Sequence, residues 1–226
     1  MRTFSKKAWA ATAITALAAT AHSAEIPLYE TGPGQDAAFV RFVNARSAAI
    51  DVKAAGSKAS AKLAPEQPAS NFFSVPANRA VKGKFSDKQL QSEIAVSVKP
   101  GEFATVVALS GTGDIKQVVL REQPDDFNAL KVSLALYNLD KRCKAAGLNV
   151  LGRSVALFEG VASGSLARRS LNPVNISVQL QCQGQLDQAI LALGTLQAGQ
   201  RYSIFVMPAD AGSRLVIAAD QLAQYP

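Results

Sequence analysis

Histidine and tryptophan are almost missing from this sequence, which holds one of each among its 226 residues. Both residues, His22 and Trp9, lie in an N-terminal segment that we expect to be removed. A mature chain without imidazole cannot form a Ser-His-Asp triad, a Cys-His dyad or a His-ligated metal site. The sequence also lacks the Gly-x-Ser-x-Gly motif that positions a nucleophilic serine. It therefore argues against most ester and acyl-transfer chemistry, although paired carboxylates or a Ser-Lys pair need no histidine.

The N-terminal segment has the three parts of a secretory signal peptide. Three basic residues lie near its start, residues 8–20 are apolar, and Ala21-His22-Ser23 supplies small residues around a cleavage site. We predict cleavage after Ser23, which makes residues 1–23 the signal peptide and the protein an exported one. This apolar run falls short of the roughly 20 residues that span a bilayer and no later segment supplies them, so we predict no transmembrane anchor in the mature form.

Dense runs of charge are also missing. The formal net charge is +7, and the signal peptide carries three of the basic residues. A mild basic excess without a recognisable motif does not predict nucleic acid binding. Gly32, Gly34 and Ala37 have a spacing close to a dinucleotide-binding fingerprint, but the strand-like sequence AAFVRFVN follows instead of a helix. We therefore predict no cofactor, no metal site and no nucleic acid partner.

Cysteine is rare, and the number of cysteines is even. The two cysteines are Cys143 and Cys182, and an even pair in an exported protein predicts one disulfide. Closing a loop of this size stabilises a fold by roughly 4 kcal/mol in the chain-entropy model. Two free thiols or a thiolate metal site are the alternatives, but no C-x-x-C spacing supports them.

The hydrophobic pattern has a period of two, and helix-period segments are short or missing. In VNISVQLQCQ, which begins at Val174, apolar and polar residues alternate without a break. Turn signals such as Pro100-Gly101 separate runs of this kind at the spacing typical of β-sandwiches. We predict an all-β fold of two tandem immunoglobulin-like β-sandwiches.

An internal repeat supports two sandwiches. The sequence from Pro100 to Leu120 resembles that from Ala198 to Ala218 in its order of turn, strand, small-residue turn and strand. We place the boundary near Pro124, in a stretch rich in charge and turn formers. The predicted domains are residues 24–124 and residues 125–226, the second with the disulfide. One long sandwich is the alternative.

Several short strings resemble a known family. They are an LY pair at Leu28 with a Gly/Pro loop and then AFVRFVNA, REQP at Arg121, LALYNL at Leu134, and LNPV at Leu171. Together they make the mature chain similar to the periplasmic alginate O-acetylation protein AlgF. The cysteine pair and the longer segment from Lys141 to Gly164 depart from that family, and they leave open whether the polymer is alginate or acetylated cellulose.

The resemblance implies a periplasmic component of an exopolysaccharide O-acetylation machine. In such a machine a membrane protein passes acetyl groups outward and separate enzymes place them on the polymer. The expected partners are therefore periplasmic and membrane components of an O-acetyltransferase complex, and an anionic polysaccharide. Within that scheme this chain is expected to be an accessory subunit without activity of its own, which agrees with the missing histidine.

Three groups of residues are candidates for polysaccharide or partner contact. The first is basic: Arg79, Lys82, Lys84 and Lys88. A polyuronate carries repeated carboxylates that favour such a strip, and the alternative is protection of an edge strand by lysines. The second is the polar strand face with Gln179 and Gln181, whose amides suit sugar hydroxyls, unless it is an ordinary solvated face.

The third group consists of Tyr29 and Arg41, which lie in the N-terminal stretch that resembles the AlgF family. Arg41 has the alternative of being the polar residue of its strand. The adjacent Phe72 and Phe73 point to opposite faces of a strand, and we expect them to serve core or inter-domain packing rather than sugar stacking.

The sequence thus predicts a non-catalytic periplasmic adaptor of exopolysaccharide O-acetylation. A carbohydrate-binding module that acts alone and a histidine-independent acetyl carrier or transferase are the alternatives. We predict no catalytic residue.

Overall fold

The chain folds into four four-stranded sheets in a computed structural model, which describes residues 37–56, 60–123 and 128–224. Every regular element in those residues is a β-strand, so the predicted all-β sandwich class is confirmed. These described residues form one compact unit that contains all of the strands. None of the described residues form a helix of the length and apolarity needed to cross a membrane.

The first half, residues 37–123, has eight strands. They are β1 (Ala37–Asn44), β2 (Ile50–Ala54), β3 (Ser60–Leu63), β4 (Phe73–Pro76), β5 (Ala80–Ser86), β6 (Gln91–Ser97), β7 (Phe103–Ser110) and β8 (Ile115–Glu122). The second half, residues 128–224, has eight more. They are β9 (Val132–Asn138), β10 (Ala145–Val150), β11 (Ala156–Ala162), β12 (Ser165–Leu171), β13 (Val174–Cys182), β14 (Gln185–Leu196), β15 (Arg201–Pro208) and β16 (Ser213–Ala219).

The two halves repeat one topology. In the first half the strand orders are β4-β1-β7-β8 and β3-β2-β5-β6, and in the second they are β12-β9-β15-β16 and β11-β10-β13-β14. β1 pairs with β7 in parallel, and β9 pairs with β15 in the same way. The predicted repeat is confirmed, because its two segments form the equivalent hairpins β7–β8 and β15–β16.

The first strand of each half ends in a buried asparagine, and the two asparagines make equivalent hydrogen bonds. The Asn44 Nδ2 atom donates to the carbonyl oxygens of Ala48 and Leu63, each at 2.9 Å. The Asn138 Nδ2 atom donates to the carbonyl oxygens of Cys143 and Val161 at 2.6 and 2.9 Å. These bonds give donors to buried carbonyl groups, and they mark equivalent positions in the two repeats.

Each half has a core of its own, and a third core lies between the halves. Ile50, Phe85 and Val106 lie in the first core, and Leu134 and Leu148 lie in the second. The third core joins residues of both halves: Val43, Ala45, Val107, Leu120, Ala135, Tyr137, Leu139, Phe205 and Met207. The sheets β4-β1-β7-β8 and β12-β9-β15-β16 therefore face each other across an apolar interface.

The predicted disulfide is confirmed. Cys143, just before β10, is bonded to Cys182 at the end of β13, with an S–S distance of 2.05 Å. Since β10 and β13 are neighbours in one sheet, the bond reinforces a pairing inside the second half.

Other predictions lie outside the described residues. They are the signal peptide, Tyr29 and the boundary near Pro124, and they stay predictions together with the division into domains.

Candidate functional site

Lysines gather on the outward face of the sheet β3-β2-β5-β6. Along β5, Gly83 and Phe85 are buried, while Lys82 and Lys84 lie on the opposite face. Lys53 of β2 is the direct cross-strand partner of Lys84. Lys62 of β3 is exposed on the same face. We call these four lysines the basic face.

Edge protection does not explain Lys82 and Lys84. β5 lies inside its sheet, between β2 and β6, so Lys82 and Lys84 guard no free edge. Lys53 and Lys84 lie directly opposite each other, an arrangement that destabilises a sheet by charge repulsion. Asp51 and Glu93 on neighbouring strands offset part of the charge, as the partners of Lys62 and Lys84. The four lysines of the basic face still outnumber these two carboxylates.

The other two members of the predicted strip lie at opposite ends of β5. Arg79 is exposed in the turn that precedes the strand, and Lys88 is exposed in the turn that follows it. Lys82 and Lys84 are thus the two members of the predicted strip that lie on the basic face. The structure adds Lys53 and Lys62, which the sequence analysis did not select.

The amide side chains of β13 are engaged within the protein. The Gln179 Nε2 atom donates to the Asp187 carbonyl at 2.7 Å, and Gln181 Nε2 donates to that of Gly184 at 2.8 Å. Ile190 and Leu186 lie opposite them on β14 and are 53% and 61% exposed. This face is therefore a mixed polar and apolar surface, and its contact with a ligand stays a prediction.

Arg41 lies between the two halves and has no exposed surface. Its Nε atom donates to Thr105 Oγ1 at 2.9 Å, and its two Nη atoms donate to Asp220 Oδ1 at 2.6 Å and Ser203 Oγ at 2.8 Å. The guanidinium also stacks on the Phe72 ring at 4.4 Å. In this arrangement Arg41 offers no atom to an external glycan; its contacts join strand β1 to the second half.

Phe72 shares this interface. It is 1% exposed and packs edge-to-face on Phe103, with ring centroids 5.0 Å apart. Its backbone also pairs with the chain end: Phe72 N donates to Gln221 O at 2.8 Å, and Ala223 N donates to Phe72 O at 2.7 Å. Packing between the halves is therefore confirmed as the role of Phe72.

A second arginine completes a cluster of four charges. The Arg168 Nε and Nη2 atoms donate to the two Glu122 carboxylate oxygens at 2.9 Å each, and Nη2 also donates to Asp220 Oδ2 at 2.9 Å. The Tyr137 hydroxyl donates to Glu122 Oε1 at 3.1 Å. We call Arg41, Glu122, Arg168 and Asp220 the charged cluster. It holds two cations and two anions, and Asp220 binds one arginine from each half.

The charged cluster sets the protonation of its members. Burial by itself raises the pKa of Asp220, but the charges of Arg41 and Arg168 outweigh it and hold that pKa below its ordinary value. For Arg168, burial lowers the guanidinium pKa, but contact with Glu122 reverses this and the net shift is upward. Burial raises the pKa of Tyr137, so its hydroxyl stays protonated and donates.

The lowered pKa of Asp220 predicts a loss of stability in acid. A carboxyl group whose pKa is lowered by folding stabilises the folded state when it is ionised. This stabilisation is complete at pH values above the unfolded pKa of about 3.9, and it is lost as the pH falls through the pKa of the folded state. Urea unfolding of Asp220→Asn should show lower stability than the wild type at pH 7 and a smaller further loss between pH 5 and 3. The exposed Asp210→Asn variant is the control, and an acid response of Asp220→Asn equal to that of the wild type would refute this assignment.

One comparison with known proteins shows a family. The family model described as Alginate O-acetyl transferase AlgF matches residues 10–203. Among curated proteins, none matches the chain. A solved structure of the C-terminal domain of AlgF from P. aeruginosa is 17% identical, covering 40% of this chain and 98% of that one, with a TM-score of 0.34.

Two structures from Bacteroides also match. A candidate cell adhesion protein from Bacteroides uniformis ATCC 8492 is 11% identical, covering 85% of this chain and 99% of that one, with a TM-score of 0.28. One from Bacteroides fragilis NCTC 9343 is 10% identical, covering 79% and 86%, with a TM-score of 0.23. TM-scores this low add nothing to the family match. The model match over most of the length confirms the resemblance seen in the sequence, and the chain belongs to the AlgF family of alginate O-acetylation proteins.

Proposed function

We propose that this protein is a non-catalytic periplasmic adaptor of alginate O-acetylation, which binds acetyltransferase components and holds the anionic polymer on the basic face. Membership of the AlgF family supports a role in alginate O-acetylation. The observation that carries polymer binding is the set of lysines on a solvent-facing sheet surface, where a direct Lys53–Lys84 pair is kept despite its repulsion.

The spacing of the lysines suits a polyuronate. Lys82 and Lys84 are two residues apart on one strand, which separates their Cα atoms by about 7 Å. Lys53 lies across from Lys84 at roughly 5 Å between Cα atoms. These distances are within the Debye length of about 8 Å at physiological salt, so the cations act together on the carboxylates of successive sugar residues.

A neutral glucan has no such attraction. It would be held by hydrogen bonds and by ring stacking, for which tryptophan is the strongest side chain. The single tryptophan of the sequence is Trp9, in the predicted signal peptide. The chemistry of the basic face therefore favours alginate over cellulose as the polymer.

Binding to alginate oligosaccharide should be weak and sensitive to salt. Lys82→Gln combined with Lys84→Gln should weaken it about three- to tenfold at low salt, because each exposed ion pair contributes about 0.2–1 kcal/mol. Calorimetric titration at two salt concentrations measures this, with a cello-oligosaccharide as the neutral ligand. The pair Lys141→Gln and Lys144→Gln is the control, since it removes the same charge from exposed sites on the second half.

Salt-insensitive binding of the cello-oligosaccharide, unchanged in the Lys82/Lys84 variant, would contradict this assignment and favour a cellulose client. The adaptor role has its own test: the full chain, used as bait in periplasmic extract, should retain acetyltransferase components. Retention of polymer alone would identify a carbohydrate-binding module instead, and an acetylated side chain on the bait would identify an acetyl carrier.

A further inference from the structure

A cavity opens inside the first half, between its two sheets. Its volume is about 520 Å³, within the range of about 300–1,000 Å³ typical of small-molecule sites. Phe42, Phe73 and Val75 line it from one sheet, and Ala54, Ala61 and Gly83 line it from the other. Phe42 and Val75 are only partly buried although they pack against the first core.

The second half shows that this topology does not require a cavity. Leu63 and Val161 are equivalent, because their carbonyls accept from Asn44 and Asn138, and they pair with Ile50 and Ala146. Counting along the paired strands from these positions gives four equivalent pairs, the first-half residue named first: Val52 and Leu148, Ala54 and Val150, Ala61 and Phe158, Gly83 and Val178.

In every one of these pairs the second half has the larger side chain. Leu148, Phe158 and Val178 are buried there and belong to the second core. Protein interiors are normally filled to the density of organic crystals, as in the second half. The cavity of the first half therefore follows from the smaller residues Val52, Ala54 and Ala61, and not from the fold. Gly83 has a different role, because a Cβ atom there would lie 2.6 Å from the Lys53 carbonyl oxygen.

The lining separates into an apolar interior and a polar mouth. Its polar residues are Lys53, Ser60, Lys82 and Gln224, and all four are exposed. The deeper walls are hydrocarbon, which disfavours any ligand whose buried part carries hydroxyl or amide groups. The slot lies between sheets that pack about 10 Å apart, a width suited to a narrow alkyl chain.

We propose that this cavity binds one unbranched acyl chain, with an anionic head group held beside Lys53 and Lys82. The charge of these two lysines at the mouth selects a carboxylate or phosphate over a neutral or cationic head. The acyl chain enters between the sheets while the polymer lies on their outward surface, so the two proposed sites have only Lys53 and Lys82 in common. Ala223 of the C-terminal segment closes one side of the cavity, so the site contains a residue of the second half.

The test uses saturated carboxylates of six to twelve carbons, below their micellar concentrations, titrated into the purified full chain by calorimetry. Each added methylene should tighten binding about fourfold until the cavity is full, after which the affinity should level off. Octyl glucoside, with a neutral head, should bind at least several-fold more weakly than nonanoate.

Two variants localise the binding. Ala61→Phe copies Phe158 of the equivalent position and should weaken decanoate at least tenfold, while alginate binding is unchanged. Ala54→Val adds a smaller side chain to the cavity and should weaken decanoate binding about three- to tenfold. This variant keeps the test decisive if Ala61→Phe does not fold. Ala192→Phe, at an exposed position of β14 in the second half, is the matched control and should bind decanoate like the wild type.

No binding of decanoate by the folded wild type at millimolar concentration would overturn the proposal. The proposal would also be overturned if the affinity for carboxylates did not depend on chain length. The same holds if Ala54→Val and Ala61→Phe both bound decanoate like the wild type. Because alginate is titrated in parallel, failure of the acyl site and failure of the polymer site give different results.

Discussion

Replacing Arg41 by alanine should destabilise the protein by about 3–5 kcal/mol, the range found when one partner of a buried ion pair is removed. The substitution leaves Asp220 with only Arg168 as a counter-ion and removes the donors to Thr105 and Ser203. It also removes the cation from the face of the Phe72 ring. Urea unfolding followed by circular dichroism measures the loss.

Arg121→Ala is the matched control for this prediction. Arg121 also forms an ion pair, with Glu102 at 3.0 Å, but its side chain is 40% exposed. An exposed pair contributes about 1 kcal/mol or less, so this variant should unfold close to the wild type. Equal losses in Arg41→Ala and Arg121→Ala would mean that the charged cluster does not hold the halves together. Two separate unfolding transitions in Arg41→Ala would be the clearest sign that it does.

Loss of the disulfide should cost about 4 kcal/mol, from the entropy of a loop whose ends are 39 residues apart. The double variant Cys143→Ala with Cys182→Ala should show this loss in urea unfolding, and its midpoint should not respond to a reductant. The wild type should shift towards the variant when reductant is added to the unfolded chain, because Cys143 is only 1% exposed in the folded one.

The loss of stability caused by removing the disulfide should be confined to the second half, where both cysteines lie. The Lys82→Gln and Lys84→Gln variant is a suitable reference, because it changes surface charge in the first half only. A reductant that leaves the wild-type midpoint unchanged would show that the bond contributes nothing to stability.

Alternation of apolar and polar residues was enough to predict the strands, since a half-buried sheet leaves that period in the sequence. VNISVQLQCQ forms β13 up to Cys182, with Val178 and Leu180 buried. The same pattern could not select Lys53 and Lys62, because their place beside β5 depends on which strands pair. β2 pairs with both β3 and β5, and only that register brings Lys53 opposite Lys84.

Arg41 shows a different limit. It is the single charged residue on a face of β1 that also carries Phe39 and Val43. Here the second half covers that face, so a residue that the sequence analysis assigned to a ligand contact is buried. The period of a strand shows which residues share a face, but it cannot show what packs on that face. Asp220, the acidic partner of Arg41, is 179 residues away in the sequence.

That separation has a consequence for the rate of folding. Contacts between residues far apart in the chain form late, because the intervening chain loses entropy before they contribute. The pairing of Phe72 with Leu222 is of the same kind. We expect each sandwich to collapse around its own core first, and docking of the halves to be the slow step. Until docking, Tyr137 and Phe205 of the third core are open to solvent, so during that interval the chain is most exposed to aggregation.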